Sequence, residues 1–136
     1  MTLGSEKMPH SKYIFCEGDS LNNAPAAYYT EPGERYSIGH IYRSSDCNSH
    51  IGCYAFNRYC CCGKWGVYCN RRIPATDDSP RVIFDNGKIY RNGWTPTLIA
   101  CYGNGEIWKN DRLIAVYDGP DAGGAAAAAL VFGWAR

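Results

Sequence analysis

Eight cysteines and three histidines are the side chains of this sequence best suited to nucleophilic or metal chemistry, and they are unevenly spread. Cys16 and Cys101 stand alone, whereas Cys47, Cys53, Cys60, Cys61, Cys62 and Cys69 crowd one short stretch that also holds His50. Cys47, His50 and Cys53 are separated by two residues on each side, and with Cys62 they make a candidate tetrahedral set for zinc, the one cofactor these residues suggest. Against that reading, zinc knuckles pair their cysteines across a short turn, and Cys53 occupies a repeated position suited to a small packing residue. A cysteine nucleophile needs a positioned base. His10 lies near the start, His40 aligns with charged residues that favour exposure, and no spacing brings His50 to Cys61 or Cys62. Asp85, Glu106, Asp111 and Asp118 fall mostly in turn sequences, where Asp is favoured for local reasons, so they do not read as an acid–base pair. No glycine-rich loop opens a helix after a strand. A non-enzymatic chain is the expectation, with a cysteine- or zinc-dependent enzyme as the second alternative.

The cysteines also bear on compartment. In an extended segment Cys60 and Cys62 point to one face and Cys61 to the other, so each bridge needs its own partner within about 7 Å. Reduced thiols avoid that demand and favour a cytoplasmic setting, while four bridges in a secreted domain are the alternative. Residues 1–12 lack the basic and apolar regions of a secretory signal. Residues 1–11 read as a flexible or appended leader, with Met8 a second candidate start. The longest apolar run, 125–132, is short of the roughly 20 residues of a helical membrane span.

With 14 basic and 13 acidic residues the formal charge is +1, and the isoelectric point is near 7.5, so no basic face for nucleic acid is implied. Eleven Tyr and four Trp indicate one folded domain, 1–136, with an aromatic-rich core.

The elements that must position these groups are set by an internal repeat over 39–117. Gly39-His40-Ile41-Tyr42-Arg43 matches Gly87-Lys88-Ile89-Tyr90-Arg91 and Gly105-Glu106-Ile107-Trp108-Lys109. Each is followed by a second piece: Ile51-Gly52-Cys53-Tyr54, Ile99-Ala100-Cys101-Tyr102 and Ile114-Ala115-Val116-Tyr117. Period-two alternation, with Asn86-Gly87, Asn104-Gly105 and Asn110-Asp111 between segments, predicts short strands joined by turns and a five-stranded meander over 81–117. Tyr13–Cys16 with Ala26–Tyr29 forms a degenerate fourth copy, and 63–69 is a further strand candidate. Strict alternation puts Cys53, Cys101 and Val116 on the face of the preceding Ile, as small core fillers, with Gly52, Ala100, Ala115, Tyr54, Tyr102 and Tyr117 on the other.

From Val82 to Ala129 the motifs NGKIYRNG, LIACYGNGEIWKNDRLIAVYDG and GGAAAAAL resemble those of the bacterial four-fold β-flower family. The resemblance implies repeated strand pairs about a pseudo-symmetric centre and supplies no catalytic residues. The Cys47–Cys69 segment departs from its pattern.

The tail 121–136 is Ala-rich and reads as a packed closing element, helix or strand. The expected architecture is therefore all-β, with repeated hairpins in a closed or nearly closed meander around or beneath that tail. Aromatic rings beside polar groups form the remaining candidate surface: Trp94 with Arg91 and Asn92 in a connecting loop, and Trp65. Trp108 reads as filling one face of a strand. The functional expectation is a small binding or structural interaction module for a protein, a carbohydrate or a second copy of the chain, with a secreted disulfide-stabilised binder as the first alternative.

Overall fold

The computed structural model describes residues 12–16, 25–31, 38–43, 49–57, 64–72 and 80–136. These residues form ten strands: β1 (Lys12–Cys16), β2 (Ala27–Tyr29), β3 (Ile38–Tyr42), β4 (His50–Asn57), β5 (Lys64–Cys69), β6 (Val82–Asp85), β7 (Lys88–Arg91), β8 (Thr97–Gly103), β9 (Glu106–Lys109) and β10 (Arg112–Tyr117). One helix follows, α1 (Asp121–Val131). Each strand pairs antiparallel with its neighbours in sequence, and the meander curls until β1 meets β10 through Ile14↔Tyr117, Phe15↔Val116 and Cys16↔Ala115.

The turns form as their residue types dictate. Asn86 and Gly87, Asn104 and Gly105, and Asn110 and Asp111 all have positive φ, the conformation that matches a two-residue turn to the twist of its strands.

The repeated hairpins share one register. Ile41 faces Gly52, Ile89 faces Ala100 and Ile107 faces Ala115. The weaker N-terminal copy follows suit, with Ile14 opposite Ala27 and Tyr29 two residues on. In the three stronger copies the ladder slips by one residue, leaving Ile51, Ile99 and Ile114 as the extra residue of a β-bulge. A bulge breaks alternation. The extra Ile therefore packs on the core while the next residue, Gly52, Ala100 or Ala115, also turns inward, and Cys53, Cys101 and Val116 point out of the ring. The expectation that this register belongs to the core is thus corrected: Cys101 is exposed and Val116 is 37 % exposed. Cys53 is buried, but on the outer face.

Helix α1 fills the interior. Gly123 to Leu130 are all buried, and the helix packs against β1 to β6, β8 and β10. A helix apolar on every side must be buried on every side, and small side chains let the wall approach its backbone. Gly52, Ala100 and Ala115 supply the matching small wall positions. The double glycine ahead of the Ala run has a steric cause: a Cβ on Gly123 would lie 2.1 Å from the Tyr29 ring, and one on Gly124 would lie 2.3 Å from that of Tyr117. The tail is therefore a buried helix.

Tyr29, Tyr54, Tyr102 and Tyr117, one per hairpin copy, gather at the ring end where α1 begins. Tyr54 Oη donates to the Thr30 carbonyl at 2.7 Å, Tyr29 Oη to the Asp118 carbonyl, and Tyr117 Oη to Asp121 Oδ1 at 2.5 Å. Burial pushes all four phenols above the usual tyrosine range, and for Tyr117 the hydrogen bond to Asp121 adds to it.

Candidate functional site

Because the interior is committed to packing, chemistry falls to the outer face and the loops. The bulged hairpin places four outward residues per copy: His40, Tyr42, His50 and Cys53 on β3–β4; Lys88, Tyr90, Leu98 and Cys101 on β7–β8; Glu106, Trp108, Leu113 and Val116 on β9–β10.

On β3–β4 the register sets Tyr42 opposite His50 and His40 opposite Cys53. His40 Nδ1 lies 3.0 Å from His50 Nε2, and the ring centroids are 5.1 Å apart at an interplanar angle of 57°. Tyr42 meets His50 edge-on at 5.3 Å. At this distance one imidazole N–H donates to the unprotonated nitrogen of the other. Burial, and then the positive charge of Arg72, lower both histidines below the usual imidazole range, so the pair is neutral at neutral pH. Burial likewise pushes the Cys53 thiol up to about 11, against the opposing pull of Arg71. That thiol is protonated and unreactive.

The repeat alignment had set His40 level with Lys88 and Glu106 and therefore on an exposed surface. The structure corrects this to a half-buried ring in contact with His50. The signal was present in the sequence, because the two histidines occupy neighbouring outward positions of one hairpin copy.

Of the zinc set, His50 and Cys53 both face outward on β4, while Cys47 and Cys62 lie outside the described residues. Among the described residues no three His, Cys, Asp or Glu side chains converge as metal ligands. Cys53, Cys69 and Cys101 are unbridged. No helix among the described residues is long and apolar enough to cross a membrane.

The aromatic candidates separate. Trp94 projects wholly into solvent, at 105 % of its reference exposure, from the β7–β8 connection, which begins just after exposed Arg91 at the end of β7. Asn92 shapes that connection: its Nδ2 donates to the Pro80 carbonyl at 2.9 Å, and its backbone N–H donates to the Arg81 carbonyl at 2.9 Å. Trp65 sits at the opposite end of the ring, paired with Phe84 near the Asn86-Gly87 turn and stacked on its ring at 6.0 Å. Trp108, expected to fill a strand face, is 40 % exposed, with its indole N–H donating to Glu106 Oε1 at 3.0 Å. Sequence reasoning missed its neighbour Leu98, which is 52 % exposed. The bulge after it turns that strand position outward.

A cleft of about 560 Å³ opens where the chain leaves α1, lined in part by Arg71, Arg81 and Arg136. Arg81 already donates to the Arg136 carbonyl at 3.0 Å, and the adjoining 73–79 connection is outside the described residues. In comparisons with known proteins, no family model, no curated protein and no solved structure matches this chain.

Proposed function

We propose that the chain is a non-enzymatic interaction module that holds a partner protein against the outer face of β8–β10 and the Trp94 loop. The observation that carries this is Trp94, a large apolar ring wholly in solvent on a loop braced by Asn92. The strands that follow carry further exposed apolar side chains, Leu98 on β8, Trp108 on β9 and Val116 on β10, and Lys88, Arg91 and Arg112 are exposed on β7 and β10. Aromatic centres with an arginine-bearing rim are the composition of protein interfaces, and large apolar side chains grouped in water mark contact surfaces. The helix-filled ring leaves the outer surface as the part free to vary.

The test is affinity capture on the immobilised chain, followed by reconstitution with the purified captured protein. Trp94→Ala and Trp108→Ala are expected to weaken that complex by about tenfold or more each, with thermal stability unchanged. Undiminished binding by both variants would sink the proposal. Carbohydrate recognition is the second reading, favoured by Trp94 beside Arg91 and Asn92. It predicts saccharide-dependent quenching of Trp fluorescence that Trp94→Ala abolishes.

A further inference from the structure

We propose that His40 and His50 form a two-histidine site for a divalent transition metal on the outer face of β3–β4, separate from the Trp94 surface. The carrying observation is geometric. Two ring nitrogens held 3.0 Å apart have the spacing of adjacent ligands at right angles around a metal whose bonds to imidazole are about 2.0–2.1 Å long, and on binding the proton shared between them moves to the far nitrogen of its own ring, which frees both lone pairs for the metal. A tetrahedral arrangement needs a wider separation, so the spacing favours the square or octahedral ligand fields of Cu²⁺ and Ni²⁺, completed by water.

The fold holds both rings in place. The register of β3 against β4 fixes their backbones on hydrogen-bonded neighbours. Tyr42 lies edge-on to His50 and within 6.3 Å of His40, centroid to centroid. Two side chains held this way lose little further freedom on ligation, which favours binding by two protein ligands alone. The corresponding outward positions are Lys88 and Leu98 in one copy and Glu106 and Leu113 in another, so the arrangement is peculiar to the first.

Arg72 shapes the selectivity. Its charge is felt by both histidines, which disfavours a bare dication and favours one that carries an anionic co-ligand such as chloride or carboxylate. Metal binding in a non-coordinating buffer is therefore expected to tighten about threefold in Arg72→Gln.

The experiment is calorimetric titration of the reduced full chain with NiCl₂ under nitrogen, with the ultraviolet spectrum recorded in parallel. One equivalent is expected to bind without thiolate-to-nickel charge-transfer absorption. His40→Gln and His50→Gln should each weaken binding by about tenfold or more, while His10→Gln leaves it unchanged. Circular dichroism melts of each variant verify that the fold persists. Three results would each overturn the proposal: no binding below millimolar Ni²⁺, binding that survives both substitutions in folded protein, or a charge-transfer spectrum placing the metal on cysteine.

Discussion

Hairpins β3–β4 and β7–β8 are built on one template and differ almost entirely on one side of it. Inside, Ile41, Gly52 and Tyr54 correspond to Ile89, Ala100 and Tyr102, all turned toward the helix. Outside, His40, His50 and a buried Cys53 stand where the second hairpin has Lys88, Leu98 and an exposed Cys101. The inner residues answer to a common helix and so repeat. The outer ones are free of that constraint and differ.

The comparison is broken most forcefully from within. Ile41→Ala and Ile89→Ala remove fully buried side chains from equivalent places and are each expected to cost about 2–5 kcal/mol in urea unfolding. Unequal losses beyond that range would show that the copies are not equivalent. Gly123→Ala places a methyl inside the Tyr29 ring and should cost about 1–3 kcal/mol, although alanine normally strengthens a helix. A gain in melting temperature would mean that the helix does not sit so tightly against that ring.

The tyrosines make a pH test common to both hairpins. Their folded-state pKa values are raised by burial, so the stability this confers is complete below the unfolded value of about 10 and is lost as pH climbs above it. Phenolate absorbance from the inner tyrosines should rise together with loss of the circular dichroism signal. Full ionisation in a protein that keeps its fold would contradict their burial.

Smaller effects sharpen the outer contrast. Cys101 should react with a thiol-alkylating reagent well before Cys53, whose buried thiol is pushed up to about 11, as peptide mapping after partial labelling would reveal. The reverse order would put the bulges in the wrong place. The gentlest change is a transplant: Lys88→His with Leu98→His recreates the histidine pair on β7–β8. It should raise Ni²⁺ stoichiometry from one to two while altering stability by no more than about 0.5 kcal/mol. A stoichiometry that stays at one would mean that the two outward strand positions alone do not bring the rings together.

What was legible in the sequence was local. Asn-Gly turns, the Ile-Tyr and Ile-Ala pieces and the seamless apolar character of 125–130 all act through neighbours a few residues away, and the strands, the turns and the packed tail follow from them. The bulges were not legible, because one extra residue at Ile51, Ile99 or Ile114 leaves composition intact and merely reverses the faces after it. That reversal is why strict alternation assigns Cys101 and Val116 to packing. The histidine contact was half legible: alignment placed both residues on one hairpin, but their proximity depends on the same slip. Leu98 was hidden for the same reason.

The seam where β1 meets β10 has a kinetic consequence. It joins residues about a hundred positions apart, and the helix that must lie inside the ring is synthesised only after all ten strands. The wall therefore has to wait, unclosed, for its own axle. Long-range closure of this kind slows folding, and during the wait the inner faces of the hairpins stay uncovered. Newly made chains are then most vulnerable to mutual association before α1 is in place, and native-state hydrogen exchange should find the β1–β10 amides among the first to open.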